Sequence, residues 1–368
     1  MRVSVPTIPQ LLASASPTPA ISPLEAIERV ASFLTGGNVT TITGAGVSVD
    51  SGIRAYRGEK GQYMNPNYKP IFYHELVDET VKGFKFRQRY WLRSYLGYPP
   101  VRDALPNTTH CALAALQYAS VIPRIITQNV DGLHHKAISH VWNRNQLDSG
   151  ILELHGTLHR VHCKHGHDVS RNIFQDRISA ANPQWHAYAL ELEKTGNRPR
   201  TNPDGDVVLE GVSYDDFVVP ECPECLMDGL HNTNIKPHLV FFGESISQER
   251  KRRSYEDIEA GSRLLIVGST LATYSAFRLV KHAIELQKPV LHLNIGPSRA
   301  DGLPGVQKVD IASGDIIRQV TRAVLGTSAV QDNIIAELLR SGIVKRPPPD
   351  HSDEDYSTNR NTADMSSS

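Results

Sequence analysis

Cysteine, methionine and tryptophan are scarce in this chain, net charge is absent, and no apolar run is long. The 368 residues include four Cys, four Met and three Trp. So few cysteines cannot staple a chain of this length, which excludes a disulfide scaffold and fits a reducing compartment. No stretch approaches the ~18 consecutive apolar residues of a spanning helix, so no membrane segment is expected. The 39 basic residues balance 39 acidic ones. Nucleic-acid binding usually shows as a basic excess, so nucleic acid is not expected as a direct partner. The first 24 residues hold one Arg and no acid, with several Ser, Ala and Pro. Residues 1–22 read as a leader, either a mitochondrial presequence or a disordered segment. The end, "KRPPPDHSDEDYSTNRNTADMSSS" (345–368), has almost nothing apolar and reads as a disordered tail.

Between these ends the pattern is that of an α/β protein. "SPLEAIERVASFLTGG" predicts a helix with Ser22 as cap and Pro23 in its first turn. "NVTTITGAG" predicts a strand running into a Gly-rich turn. An aromatic-rich helical region spans about 68–96, and "PNTTHCALAALQ" predicts a further helix, with Cys111 as a buried small hydrophobe. "SVIPRIITQNVD", "HLVFFGE", "RLLIVGST" and "PVLHLNIG" read as strands separated by helical segments. Alternating strands and helices predict a doubly wound, Rossmann-like parallel sheet. Residues 157–236 differ, being rich in Pro, Asn, Gly and His, and read as an inserted small module. The expected division is therefore a catalytic domain over 23–156 and 237–330, with a helical module at about 61–100 and the small module at 157–236. Strands ending in "TGAG", "TQNVD", "VGST" and "NIG" place small or polar residues at their carboxyl ends, where such sheets bind ligand.

"GAGVSVDSG" opens as Gly44-x-Gly46, but the third glycine of the dinucleotide fingerprint is replaced by Val49. The turn is either a phosphate-approaching loop or a plain structural one. Gln128, Asn129 and Asp131 follow a strand and read as ligand-handling groups or as turn caps. His155, beside Gly156, is either structural or a general base, since an imidazole titrates near working pH.

Taken in order, "GAGVSVDSGIRAYRG", "TQNVDGLH", "ELHG", "KPHLVFFGE", "GSTL" and "LNIGPSRAD" resemble the sirtuin family of NAD-dependent protein-lysine deacylases, over about Pro23 to Gly326. The resemblance implies NAD and one structural zinc ion as cofactors and acyl-lysine proteins as partners. It implies that Gly44, Ala45, Gly46 and Ser48 hold NAD phosphates and ribose, with Gly52, Ile53, Tyr56 and Arg57 in the loop covering the cofactor. Gln128, Asn129 and Asp131 would line the nicotinamide and ribose pocket, with His155 the catalytic base beside Asn129. Gly268, Ser269, Asn294 and Ile295 would contact the adenosine half. Val240, Phe241, Phe242 and Gly243 would pair by backbone with an extended substrate peptide. In the implied chemistry the acyl oxygen attacks the anomeric carbon and nicotinamide leaves. His155 then takes a ribose hydroxyl proton, and free lysine and acyl-ADP-ribose result.

Arg54 and Ala55 stand where the family usually has Pro and Asp, so the cofactor loop departs from the common form. Tyr90 and Arg93, spaced Tyr-x-x-Arg, resemble class II members in which such a pair reads acidic acyl groups; the alternative is a surface helix with a solvated Arg. "RQRYW" and "NPDGDV" resemble the mitochondrial lineage known for lipoyl removal and ADP-ribosyl transfer. A mitochondrial matrix location is expected, with cytoplasm or nucleus as the alternative. The family's zinc site has two Cys-x-x-Cys pairs. Here Cys222 and Cys225 form one, and Cys163 meets Gly166 where its partner would be. His167 is expected to supply the fourth ligand ahead of His165, with a three-cysteine site as the remaining option. The main expectation is deacylation. ADP-ribosyl transfer, a weakly active NAD-responsive binder and a zinc-ribbon nucleic-acid module are the alternatives.

Overall fold

The computed structural model describes residues 21–56, 70–196, 201–207, 209 and 211–347. Most of the expected leader, Arg57 and the tail beyond 347 lie outside the described residues.

In chain order the strands are β1 (Val39–Thr43), β2 (Arg124–Thr127), β3 (Ile151–Glu153), β4 (Gly156–Cys163), β5 (Asp168–Ser170), β6 (Ile235–Leu239), β7 (Arg263–Val267), β8 (Val290–Leu293) and β9 (Val306–Val309). The helices are α1 (Pro23–Leu34), α2 (Tyr73–Val77), α3 (Val81–Arg102), α4 (Thr108–Tyr118), α5 (Leu133–Ile138), α6 (Arg144–Gly150), α7 (Arg171–Ala181), α8 (Pro183–Thr195), α9 (Pro223–Met227), α10 (Gln248–Ala260), α11 (Tyr274–Glu285), α12 (Ser313–Leu325), α13 (Ser328–Gln331) and α14 (Asn333–Arg340). A 3-10 turn, Ala45–Ser48, follows β1.

Six strands form one parallel sheet in the order β3-β2-β1-β7-β8-β9. This is the dinucleotide-binding order, in which the chain leaves β1 in one direction for β2 and β3 and returns on its other side as β7. The switch point therefore lies between the carboxyl ends of β1 and β7. Both faces are covered, so all five residues of β1 are buried. Val39 faces a core under α1, α4 and α12, while Ile42 packs with Ile126, Ile266 and residues of α10 and α11 on the other side. Helix α1 starts as its sequence requires: the Ser22 hydroxyl accepts from the Glu25 amide at 3.2 Å, and Pro23 occupies the first turn.

The "HLVFFGE" strand does not join this sheet. β6 instead pairs antiparallel with β4 in a second sheet of order β5-β4-β6, and Val240–Gly243 lie just beyond it. Apolar content identifies a strand but not its partner, and only the Gly156–Leu239 register fixes this one.

The helical and inserted modules share one core. Trp91 of α3 meets Phe174 of α7 with ring centroids 4.7 Å apart, and buried Arg171 stacks on Trp91 and Tyr98 at 4.8 and 4.7 Å. Helix α3 also runs further than the aromatic pattern indicates, through Pro99 and Pro100. Pro99 has no N–H for the Tyr95 carbonyl, and the Gln175 amide donates to that carbonyl instead, at 2.7 Å. Ordered structure continues past residue 330: α14 packs on α4, and the strap after it bridges Asn107 through Ile343 and Ser51 through Lys345.

Candidate active site

The turn after β1 sits directly against the end of β7. Gly44 N donates to Val267 O at 3.1 Å and Gly46 N to Gly268 O at 2.9 Å. A Cβ on Gly46 would lie 2.8 Å from the Gly268 carbonyl oxygen. The two glycines are required by this close approach of backbone to backbone at the switch point, and their amides are already engaged there. Gly52 and Gly268 have positive φ of 83° and 59°, which favours glycine at both.

Polar side chains from neighbouring strand ends converge at the same point. Asn129 Nδ2 donates to Gly44 O at 3.1 Å and to Ser48 Oγ at 3.0 Å. Ser48 Oγ donates to Asp131 at 2.7 Å, and Asp131 accepts from Leu133 N at 3.0 Å. Burial pushes the Asp131 carboxyl above its usual range, against these hydrogen bonds. Gln128 Nε2 donates to Ser269 Oγ at 2.8 Å, and Asn294 is buried with Nδ2 on the Ile295 carbonyl. Ile295 itself is 63% exposed at the rim. Ala45 lies in the 3-10 turn, Ile53 is buried and Tyr56 is half-buried on the loop leading away. These residues fit a dinucleotide: a Gly-mediated close approach, hydroxyl and amide groups, and a buried carboxylate meet at the switch point.

His155 stands just past β3 and joins this network. Its Nδ1 lies 3.2 Å from the Gln128 carbonyl oxygen, which can only accept, so Nδ1 carries the proton. Nε2 then holds the lone pair, with Ser275 Oγ 2.8 Å away. Burial lowers the His155 pKa to about 4, with Arg250 and Arg278 adding to the shift and the Gln128 hydrogen bond opposing it. The imidazole is therefore neutral at ordinary pH and competent as a base. His155 O also accepts from Val240 N at 3.0 Å, tying this residue to the 240–243 segment. That segment is held on one side by α2, where Tyr73 N donates to Phe242 O at 2.9 Å. Gly243 takes φ +81°.

Tyr90 and Arg93 are not on a solvated face. Tyr90 is buried with its ring 5.6 Å from Phe241, so the alternative of a surface helix is excluded by packing. Arg93 donates to Asp206 Oδ2 and to Val207 O, both at 2.5 Å. Burial raises the Asp206 carboxyl to about 7, against the pull of Arg93. The "NPDGDV" stretch is thus folded against α3. Sequence reasoning missed Thr273 and Ser275, which touch Gln128 and His155; hydroxyls at a helix start ordinarily signal only a cap.

The first and last candidate ligands, 62 positions apart in the chain, are brought together by the second sheet and α9. Cys163, His167, Cys222 and Cys225 place their ligand atoms within 4.8 Å of one another. Cys163 and Cys225 sulfurs are 3.8 Å apart, and His167 Nδ1 is 3.6 and 3.3 Å from Cys222 and Cys225. A tetrahedral zinc with Zn–S of about 2.3 Å spaces its sulfurs about 3.8 Å apart, so the set fits zinc. His165 is exposed and presents only its backbone amide, which donates to Cys163 Sγ at 3.3 Å. Asn232 Nδ2 donates to Cys225 Sγ at 3.2 Å, and His167 Nε2 faces Glu224 at 4.0 Å.

Comparison with known proteins agrees with this geometry. The Sir2 family model matches residues 44–275. The NAD-dependent protein deacylase SIR4 of Batrachochytrium dendrobatidis is 40% identical over 78% of this chain and 90% of its own length. The mitochondrial NAD-dependent protein lipoamidase sirtuin-4 of Bos taurus is 34% identical over 82% of this chain and 87% of its own. A solved Sir2 homologue in complex with ADP-ribose superposes with a TM-score of 0.58 at 20% identity, over 83% of this chain and 98% of that one, a likeness of fold. With the dinucleotide strand order, the glycine turn at the switch point and the family match all on one sheet, the chain belongs to the Sir2 family.

Proposed function

We propose that this chain is an NAD-dependent protein-lysine deacylase with His155 as its base. The observation that carries the reading is the His155 tautomer: Nδ1–H fixed on the Gln128 carbonyl leaves Nε2 as the proton acceptor, on an imidazole that burial keeps neutral. The relatives' names as NAD-dependent deacylases support it. Bound NAD supplies a ribose carbon that becomes electrophilic as nicotinamide leaves. Ser48, Gln128, Asn129 and Asp131 orient the ribose and nicotinamide end, and Gly44, Ala45 and Gly46 let the phosphates approach. Gly268, Ser269, Asn294 and Ile295 bind the adenosine half, while Gly52, Ile53 and Tyr56 belong to the covering loop. Val240 to Gly243 align the acyl-lysine peptide by backbone pairing. His155 Nε2 then accepts the ribose hydroxyl proton.

For the acyl group, Tyr90 packs on Phe241 of the substrate segment, and Arg93 on the same helix would read the acyl end of the lysine. The Arg93–Asp206 pair supports a neutral long acyl chain, such as lipoyl, because a carboxylated chain must first displace Asp206 from the guanidinium. A mitochondrial location is supported by the bovine relative's name. The test is lysine and nicotinamide release from acetyl-, succinyl-, glutaryl-, methylglutaryl- and lipoyl-lysine peptides. Product from the lipoyl peptide, lost in His155→Ala, is expected. No lysine product from any peptide, with NAD bound, overturns the reading.

A further inference from the structure

Helix α11 begins at the switch point without a side-chain cap. Its N-cap residue is Thr273, a type that ordinarily accepts from its own helix's first amides, yet it makes no such bond. Its hydroxyl donates instead to Gln128 Oε1 at 3.1 Å. Two residues on, the Ser275 hydroxyl lies 2.8 Å from His155 Nε2. Since Nδ1 donates to the Gln128 carbonyl, Nε2 has no proton, and Ser275 is the donor. One turn of helix therefore reaches across to the side chain of Gln128 and to the ring of His155. That turn is rigidly placed: Ala276, Leu279, Val280 and Ala283 are buried, and Arg299 stacks on the Phe277 ring at 4.3 Å. A helix that leaves its own amides uncapped while directing two hydroxyls at neighbouring loops has a local rule broken where the site is built.

We infer that Ser275 is a positioning residue for the reaction, aiming the His155 imidazole in the cofactor-free site by donating to the Nε2 lone pair until the ribose hydroxyl replaces it as donor there. The inference rests on His155 being the base. The ring is held at both nitrogens, by Gln128 O and by Ser275 Oγ, so rotation about its outer bond is closed from both sides. A small tilt of the ring costs the proton-transfer step, while steps that do not use the imidazole are spared. Thr273 secures the other side of the arrangement by fixing the Gln128 side chain, whose backbone carbonyl is the partner of Nδ1.

The experiment compares wild type with Ser275→Ala and Ser275→Thr, the latter keeping a hydroxyl. Nitrogen NMR of histidine-labelled, cofactor-free protein reads the ring directly. One neutral tautomer with the proton on Nδ1 is expected in wild type and Ser275→Thr, with the Nε2 resonance shifted in Ser275→Ala. Acyl-peptide turnover in Ser275→Ala is expected to fall roughly 10- to 100-fold, the scale on which misplaced reacting groups lose rate. Exchange of labelled nicotinamide into NAD, which precedes the proton transfer, is expected to change less than about twofold. An unshifted Nε2 resonance overturns the inference, and so does an equal loss of turnover and exchange, which marks a merely structural residue. His155→Ala run in parallel separates the two readings. If it retains full turnover, His155 is not the base and the proposed function falls, whatever the Ser275 spectra show.

Discussion

The imidazole of His155 is neutral because the loss of water around it outweighs its hydrogen bond to the Gln128 carbonyl, with Arg250 and Arg278 adding to the shift. A base of this kind works unprotonated, so activity is retained as pH falls below the ordinary histidine range and is lost as pH approaches about 4. A kcat–pH profile for the acyl peptide checks this; an acid limb between 6 and 7, with the fold intact, contradicts it. Arg93 offers a second test at the same scale. Asp206 is 3% exposed at its side chain, so Arg93→Ala leaves a buried carboxyl without its cation. The expected cost is about 3 kcal/mol, in the range for breaking one side of a buried pair, read as a drop in the urea midpoint. A change in acyl preference should accompany it, read on the same acyl-peptide panel. Glu153, two residues before His155, is pushed up to about 8 by burial, with Asp131 adding to the shift. This cluster of perturbed groups is what a functional cleft produces.

The small sheet with α9 acts as a frame for the four metal ligands, and its residues continue the core that α3 and α7 share. Chelation is therefore expected to lower the melting temperature and expose Trp91, seen as a red-shifted fluorescence, since structural zinc binding is folding energy. His167→Ala should lose the bound zinc, whereas His165→Ala should keep one equivalent; metal analysis of the two variants decides between them. The C-terminal strap makes a second element-scale prediction. Lys345 N donates to Asp50 O at 2.7 Å, beside the Gly52 turn, while Ile343 holds the start of α4 through Pro106 and Thr108. Asn107, the cap of α4, donates in turn to Val47 O of the glycine turn at 2.7 Å. Lys345→Pro removes the amide and is expected to raise the NAD KM several-fold, whereas Lys345→Ala keeps it and should not. Equal KM values in the two variants would remove the strap from the account of cofactor binding.

Across the whole molecule, several histidines are folded as neutral groups. His134 is lowered to about 3 and His162 and His292 to about 4, in each case chiefly by burial. Each binds its proton at ordinary pH values only when unfolded. Stability from these sites is fully present above about 6.5, the ordinary histidine pKa, and is lost as pH falls from there toward 4. The melting temperature is expected to drop steadily across that window, with net proton uptake on unfolding; a flat profile between 6.5 and 4 contradicts the assignment.

Much of the fold was legible because its cause is local. Ser22 and Pro23 start α1, β-branched runs make β1, β2, β7 and β8, and glycine closes the turn after β1. The site's core was legible for the same reason, since Asn129, Asp131 and His155 sit at strand ends, where such sheets bind ligand. The pairing of β6, by contrast, depended on which edge was free: "HLVFFGE" reads the same beside either sheet, and β4 takes it. The solvation of Arg93 depended on a stretch more than a hundred residues away folding over it. Ser275 and Thr273 were illegible because a hydroxyl at a helix start has an ordinary local use, and only the approach of the segments after β2 and β3 to the start of α11 gives it another. By itself the sequence determined the elements, the strand-end ligand positions and the three thiols. Tertiary structure alone decided which histidine faces those thiols, which nitrogen of His155 carries the proton and what holds the ring. Each of these turns on distances of 3 to 4 Å between residues far apart in the chain, which no periodicity encodes.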